Sequence, residues 1–118
     1  MSIETVARKF VEMCNQGKNF EVMRTMYAPD IVSVEGNGEA TAGQAAVIHK
    51  SEVWQGNNEI HAQKVRGPYF NVNQFAAHFT LEVTPKGTGK RITLEEVGLY
   101  TVEGDRITRE QFFYDGER

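Results

Sequence analysis

The stretch from Lys90 to Asp115 limits the possible folds more than any other part of the chain. Its β-branched and aromatic residues fall into two blocks broken once, at Gly104-Asp105, which predicts two long antiparallel strands joined by a tight turn. On the first strand the two-residue repeat puts Ile92, Leu94 and Glu96 on one face, while Val97 and Leu99 make the other face apolar further along. A strand that is apolar on both sides has to be covered on both. The pattern therefore predicts a long, bent sheet with helices on one face and another surface, such as a second subunit, on the other. Glu96 is a carboxylate among apolar neighbours and the first candidate functional residue.

The segment before this hairpin supplies its partner strands. From Gln74 to Thr84, Phe75, Ala77, Phe79, Leu81 and Val83 alternate with Ala76, His78, Thr80 and Glu82, the clearest half-buried strand in the chain. A loop over Pro85 to Lys90 joins it to the hairpin. Ile60 to Arg66 and Tyr69-Phe70 read as one more strand, bent at Gly67-Pro68 because proline cannot donate to a central ladder. Asn71 to Asn73 makes the turn that follows.

The N-terminal part has helical spacing. Ser2 is placed to cap a helix whose buried stripe is Ile3, Val6, Ala7, Phe10, Val11, Met13 and Cys14, with Gly17 ending it. Asn19 is placed to cap a second, carrying Phe20, Met23, Met26 and Tyr27 and stopped by Ala28-Pro29. A short strand is expected from Ile31 to Glu35, with Ile31, Ser33 and Glu35 on one face. Thr41 and Gln44 have the spacing of a capping box, predicting a third helix to about Gln55 with Ala46, Val47, Val53 and Trp54 on its buried side and Gly56 beyond its end.

The order helix, helix, strand, helix and four strands is an α+β pattern with helices on one side of a mostly antiparallel sheet. At 118 residues the chain is one domain, 1–118, with room for a core and a small pocket. The formal charge is −3 and the 13 basic residues are dispersed, which argues against a nucleic-acid or membrane surface. No apolar run has the length of a membrane span and the first residues do not read as a signal peptide, so the expected compartment is cytoplasmic. Cys14 is the sole cysteine, which excludes an intrachain disulfide and a thiolate metal cluster. No histidine pair has metal spacing, so neither a metal nor another cofactor is expected.

Several phrases along the chain carry a resemblance: Met26-Tyr27-Ala28-Pro29-Asp30, the helix start at Gly43, Gly67-Pro68, and Val102 to Thr108 with Phe112 to Asp115 after it. Together with the element order they resemble the nuclear transport factor 2-like superfamily, and within it the SnoaL-like polyketide cyclases and ketosteroid isomerases. The resemblance implies a cone-shaped, curved sheet wrapped around three helices, a cystatin-like α+β roll with a ligand cavity inside. It also implies that Glu35 stands at the position of the isomerases' general base and Glu96 at that of the acid that donates to the enolate. The helix 1 tyrosine of those enzymes falls near Phe10, which has no hydroxyl. Such folds host isomerases, cyclases, dehydratases and non-catalytic binding proteins alike.

The residues support a similar reading by themselves. Glu35 ends an apolar strand beside a glycine loop and Glu96 interrupts an apolar face, so each is a candidate for desolvation and a raised pKa. The alternative is that both are solvated strand charges. Glu110, Phe112 and Tyr114 share a face of the last strand and, with Tyr27, Trp54 and His61, suit a pocket wall. Phe10, Cys14, Ala77, Phe79 and Leu94 complete the expected lining. The expected ligand is a small apolar or carbonyl-containing molecule. Two functions stay open: acid/base proton transfer next to a carbonyl, or ligand or protein binding without chemistry. A homodimer through the outer sheet face, using residues such as His78, Thr80 and Phe113, is expected in either case.

Overall fold

A computed structural model describes residues 2–116 of the chain. Helix α1 (Ile3–Asn15) starts where the Ser2 hydroxyl accepts from the Thr5 amide at 3.2 Å, and it buries Val6, Ala7, Phe10, Val11 and Cys14. Gly17, at φ 77, turns the chain out of α1 in the left-handed conformation that favours glycine. Helix α2 (Asn19–Met26) buries Val22 and Met26, and its cap residue is Lys18, without a side-chain bond. The Asn19 side chain is used elsewhere, bonded to Gln63.

Several expectations about the next segments are corrected. Tyr27 is not the last residue of α2 but the first of strand β1 (Tyr27–Val34), which runs straight through Pro29. Proline's missing N–H is tolerated because the pairing of β1 with its neighbour shifts register between Tyr27 and Val32. The Thr41–Gln44 capping box does not form, since Thr41 lies in a short strand, β2 (Ala40–Ala42), paired with Ser33. Gly43, at φ 96, precedes helix α3 (Gln44–Asn57) without a side-chain cap. Gln44 instead donates to the carbonyls of Met23, Arg24 and Tyr27, satisfying groups that the end of α2 leaves unpaired. Helix α3 continues past Gly56, and it buries Val47 fully and Trp54 partly, while Ala46 is exposed and Val53 is half-exposed at the border of a cavity.

Strands β3 (Asn58–Asn71), β4 (Gln74–Pro85), β5 (Ile92–Glu103) and β6 (Arg106–Phe113) form the expected meander. The six strands make one mixed, curved open sheet in the order β2-β1-β6-β5-β4-β3, antiparallel throughout except between β1 and β6. Gly67-Pro68 is a cis peptide, and the β3–β4 register shifts between Arg66 and Tyr69, where the bend was expected.

The core lies between α1 and the concave face. Phe10 packs edge-on against Phe75 at 5.3 Å and tilted against Tyr100 at 4.5 Å. Every second residue of β4 from Phe75 to Val83 is buried, as its alternation requires, whereas Leu94 on β5 is only half-buried. On the convex face, Arg66, His78, Thr80 and Glu95 form a polar ladder while Val97 and Phe113 remain exposed.

Candidate functional site: an apolar cavity with a network of carboxyl groups

The sheet curves away from α2 and α3 and leaves a cavity of about 730 Å³ between them. This is within the ordinary size range of small-molecule sites. Phe10, Cys14, Tyr27, Trp54, Phe79, Leu94, Phe112 and Tyr114 line it, together with Glu35, Glu96 and Glu110. Two expected lining residues do not reach it. Ala77 is fully buried in the core behind the wall. His61 is exposed because the β3–β4 register shifts between Ile60 and Ala62, so the inward positions fall on Ile60, Gln63 and Val65. Its Nε2 lies 2.7 Å from the Thr84 hydroxyl instead. A shallower hollow on the other side of β5 and β6 is bordered by His78, Glu95 and Phe113, with Glu96 and Tyr114 at the rim of both.

The polar end of the cavity is built on the seam between β1 and β6. Their parallel register sets Ser33 opposite Glu110, with both side chains turned inward. The Ser33 hydroxyl donates to Glu110 Oε2 at 2.7 Å, and the Tyr27 hydroxyl is hydrogen-bonded to Glu110 Oε1. Lys50 reaches down from α3 and donates to Ser33 Oγ at 2.7 Å and to Glu35 Oε1 at 2.5 Å, its ammonium 5.9 Å from the Phe112 ring centre. Tyr114 donates to Glu35 Oε2 at 3.2 Å. That contact depends on Gly36, because a side chain there would start within 2.8 Å of the Tyr114 ring. Gly98 plays the same part on β5: a Cβ at that position would sit 2.6 Å from the Tyr100 hydroxyl, so the glycine lets the phenol lie along the strand.

The electrostatics follow from burial. Glu110 is 2% exposed, and burial pushes its carboxyl above the usual range; the hydrogen bonds that Tyr27 and Ser33 offer to its ionised form and the Lys50 charge oppose this, and the nearby Glu35 adds to it. The Tyr27 and Tyr100 phenols are held well above their ordinary value, first by burial and then by Glu110. Burial, with a smaller contribution from Glu110, pushes the Cys14 thiol up to about 12, so it is a neutral, unreactive group. Among the described residues no group of three or more His, Cys, Asp or Glu is placed to hold a metal ion. No helix among them is long and apolar enough to cross a membrane. What this arrangement can do is hold a mainly apolar molecule against several carboxyl and hydroxyl groups and exchange protons with it.

Lys50 and Ser33 were not singled out from the sequence. A signal for Lys50 did exist: Val47, Lys50 and Trp54 share one helical stripe, so a single lysine interrupts the inward face of α3. For Ser33 only its shared face with Glu35 was visible.

The chain is 44% identical to a candidate SnoaL-like polyketide cyclase from Mesorhizobium loti, with a TM-score of 0.93 over 97% of this chain and 100% of that one. A candidate SnoaL-like polyketide cyclase from Jannaschia has 16% identity and a TM-score of 0.80, covering 98% of this chain and 89% of that one. A protein of ketosteroid isomerase-like fold from Catenulispora acidiphila, solved with trimethylamine, has 17% identity and a TM-score of 0.76, covering 92% and 85%. No curated protein matches the chain. The SnoaL-like domain family matches residues 1–114, and this chain is a member of that family.

Proposed function

We propose that the cavity binds a small, mainly apolar carbonyl compound and moves a proton on the carbon beside the carbonyl, as an isomerase, cyclase or dehydratase does. Glu35 in its ionised form takes the proton, and Glu96 in its protonated form donates a hydrogen bond to the developing enolate oxygen. The observation that carries this reading is that Glu35, at the end of β1, and Glu96, on β5, line the same cavity. A catalytic pair has to converge on one substrate. The candidate cyclase assignment of the Mesorhizobium loti relative points the same way.

The second reading, binding without chemistry, draws on one specific contact. Glu35 is engaged on both oxygens, by Lys50 and by Tyr114, as a purely structural carboxylate would be. Deuterium exchange into a panel of β-dicarbonyl and enone ligands, followed by NMR, separates the two. Proton-transfer chemistry predicts exchange with wild type that drops about a hundredfold or more in Glu35→Gln and clearly in Glu96→Gln. Exchange that is absent, or equal in all three proteins, leaves the binding reading. In either case the protein acts as a homodimer through the convex face, where Val97 and Phe113 are exposed on the single chain.

A further inference from the structure

One cation at this site serves two carboxyl groups. The Lys50 ammonium contacts Glu35 directly and Glu110 only through the Ser33 hydroxyl. The titratable groups facing Glu110 are Cys14 from α1, Tyr27 from β1, Glu35 just beyond β1, Lys50 from α3 and Tyr100 from β5. Lys50 is the single cation in this set, and Glu35 already neutralises it at 2.5 Å. A carboxylate as deeply buried as Glu110, with no cation in direct contact, is costly. The cluster is electrically neutral when Glu110 carries a proton.

The hydrogen bonds then fix where that proton sits. An ammonium has no acceptor lone pair, so Ser33 Oγ accepts from Lys50 and its single hydrogen goes to Glu110 Oε2. The remaining oxygen, Oε1, is bonded to the Tyr27 hydroxyl, which donates to it when Glu110 is ionised. A proton on Oε1 is directed at the Tyr27 oxygen, which leaves the phenol its own hydrogen to place. Tyr27 lines the cavity.

We propose that Tyr27 turns its hydroxyl hydrogen into the cavity toward an oxygen of the bound ligand, held in that orientation by a proton resident on Glu110. Tyr27 is then a hydrogen-bond donor to the ligand oxygen, and Glu110 is its positioning residue. For a carbonyl ligand this rests on the proton-transfer reading above; the orientation of Tyr27 in the empty cavity does not.

The first test needs neither ligand nor activity. In carbon-13 NMR titrations of the carboxyl groups, with the Glu110 signal assigned by its loss in Glu110→Gln, Glu110 is expected to show the shift of a neutral carboxyl near pH 7. Its midpoint should rise in Lys50→Met and fall in Glu35→Gln, because Lys50 favours the ionised form and Glu35 opposes it. An ionised Glu110 near pH 7 in wild type means that Tyr27 donates to Glu110, and overturns the proposal whatever the exchange assays show. The second test uses 4-nitrophenolate, an oxyanion probe, beside nitrobenzene, which lacks that oxygen. Tyr27→Phe should bind the phenolate roughly tenfold more weakly and nitrobenzene unchanged. Phenolate affinity no higher for wild type than for the variant, or an equal loss for both probes, overturns it. If both tests hold while deuterium exchange is absent, the donor pair stands and the catalytic reading falls.

Discussion

Replacing Lys50 by Met removes the one cation of the carboxyl network among the described residues and keeps most of the aliphatic stem that packs toward Phe112. The side chains of Lys50 and Glu35 are each 26% exposed, which sets the scale. Fully exposed ion pairs contribute about 0.2–1 kcal/mol, while breaking a buried pair by removing one partner costs about 3–5 kcal/mol. A partly exposed pair falls between, so the expected loss is about 1–3 kcal/mol near pH 7. Urea melts of wild type, Lys50→Met, Glu35→Gln and the double variant give the coupling as a double-mutant cycle. Because Lys50→Met and Glu35→Gln each break the same contact, the double variant should lose clearly less than the sum of the two. A loss in Lys50→Met below about 0.3 kcal/mol at every pH, or strictly additive variants, would show that water screens the pair and that Lys50 does not govern the charge of the site.

Leu81 is 6% exposed on the concave face of β4, and Leu81→Ala should cost about 2–5 kcal/mol in denaturant melts; less than about 0.5 kcal/mol would mean that the inward face of β4 is wrongly assigned. Glu110 binds its proton more tightly in the native than in the unfolded chain, so its contribution is greatest below the ordinary glutamate range near pH 4.3 and is lost as the pH rises through the raised native value. Glu110→Gln should therefore lose more stability relative to wild type near pH 4 than near pH 8, and a difference that is flat with pH would contradict the burial effect. Light scattering at about tens of micromolar should report a dimer, and a monomer would mean that the exposed Val97 and Phe113 are tolerated surface residues.

The parts of the fold that were legible in the sequence are those whose periodicity is long and unbroken. β4 alternates over its whole length, and the parity of β6 placed Glu110, Phe112 and Tyr114 on one inward face. A single irregularity was enough to mislead. His61 and Gln63 share a face in an ideal strand, but the register shift after Ile60 turns His61 outward and keeps Gln63 inward, bonded to Asn19 and the Cys14 carbonyl. At Tyr27 the rule that a residue before proline avoids helix holds, yet the helix ends one residue sooner, and that change carries the phenol from the helix to the floor of the cavity. Gln44 looked like half of a local cap and instead caps a different helix, a choice that depends on tertiary packing. Lys50 and Ser33 lay beyond local reading because their partners, Glu35 and Glu110, meet them only after β1 pairs with β6 and α3 folds back over both.

The seam between β1 and β6 explains why the chemistry collects where it does. It is the one parallel pairing in an otherwise antiparallel sheet, and β1 reaches it through the irregular segment around Pro29. Residues paired across neighbouring strands share a face, so the β1–β6 register places Ser33 beside Glu110 on the inward side. A buried carboxyl at such a seam needs hydrogen-bond partners, and the fold provides Tyr27 and Ser33 in direct contact, with Lys50 reaching it through Ser33. Lys50 comes from α3, which packs over β1 at this end of the cavity. Glu35, sitting just past the last paired residue of β1, is then within reach of the same lysine while still bordering the open space. The carboxyl group best placed to meet a ligand and the one best placed to keep a proton are thus tied to each other by Lys50, and a change of charge on one is felt by the other.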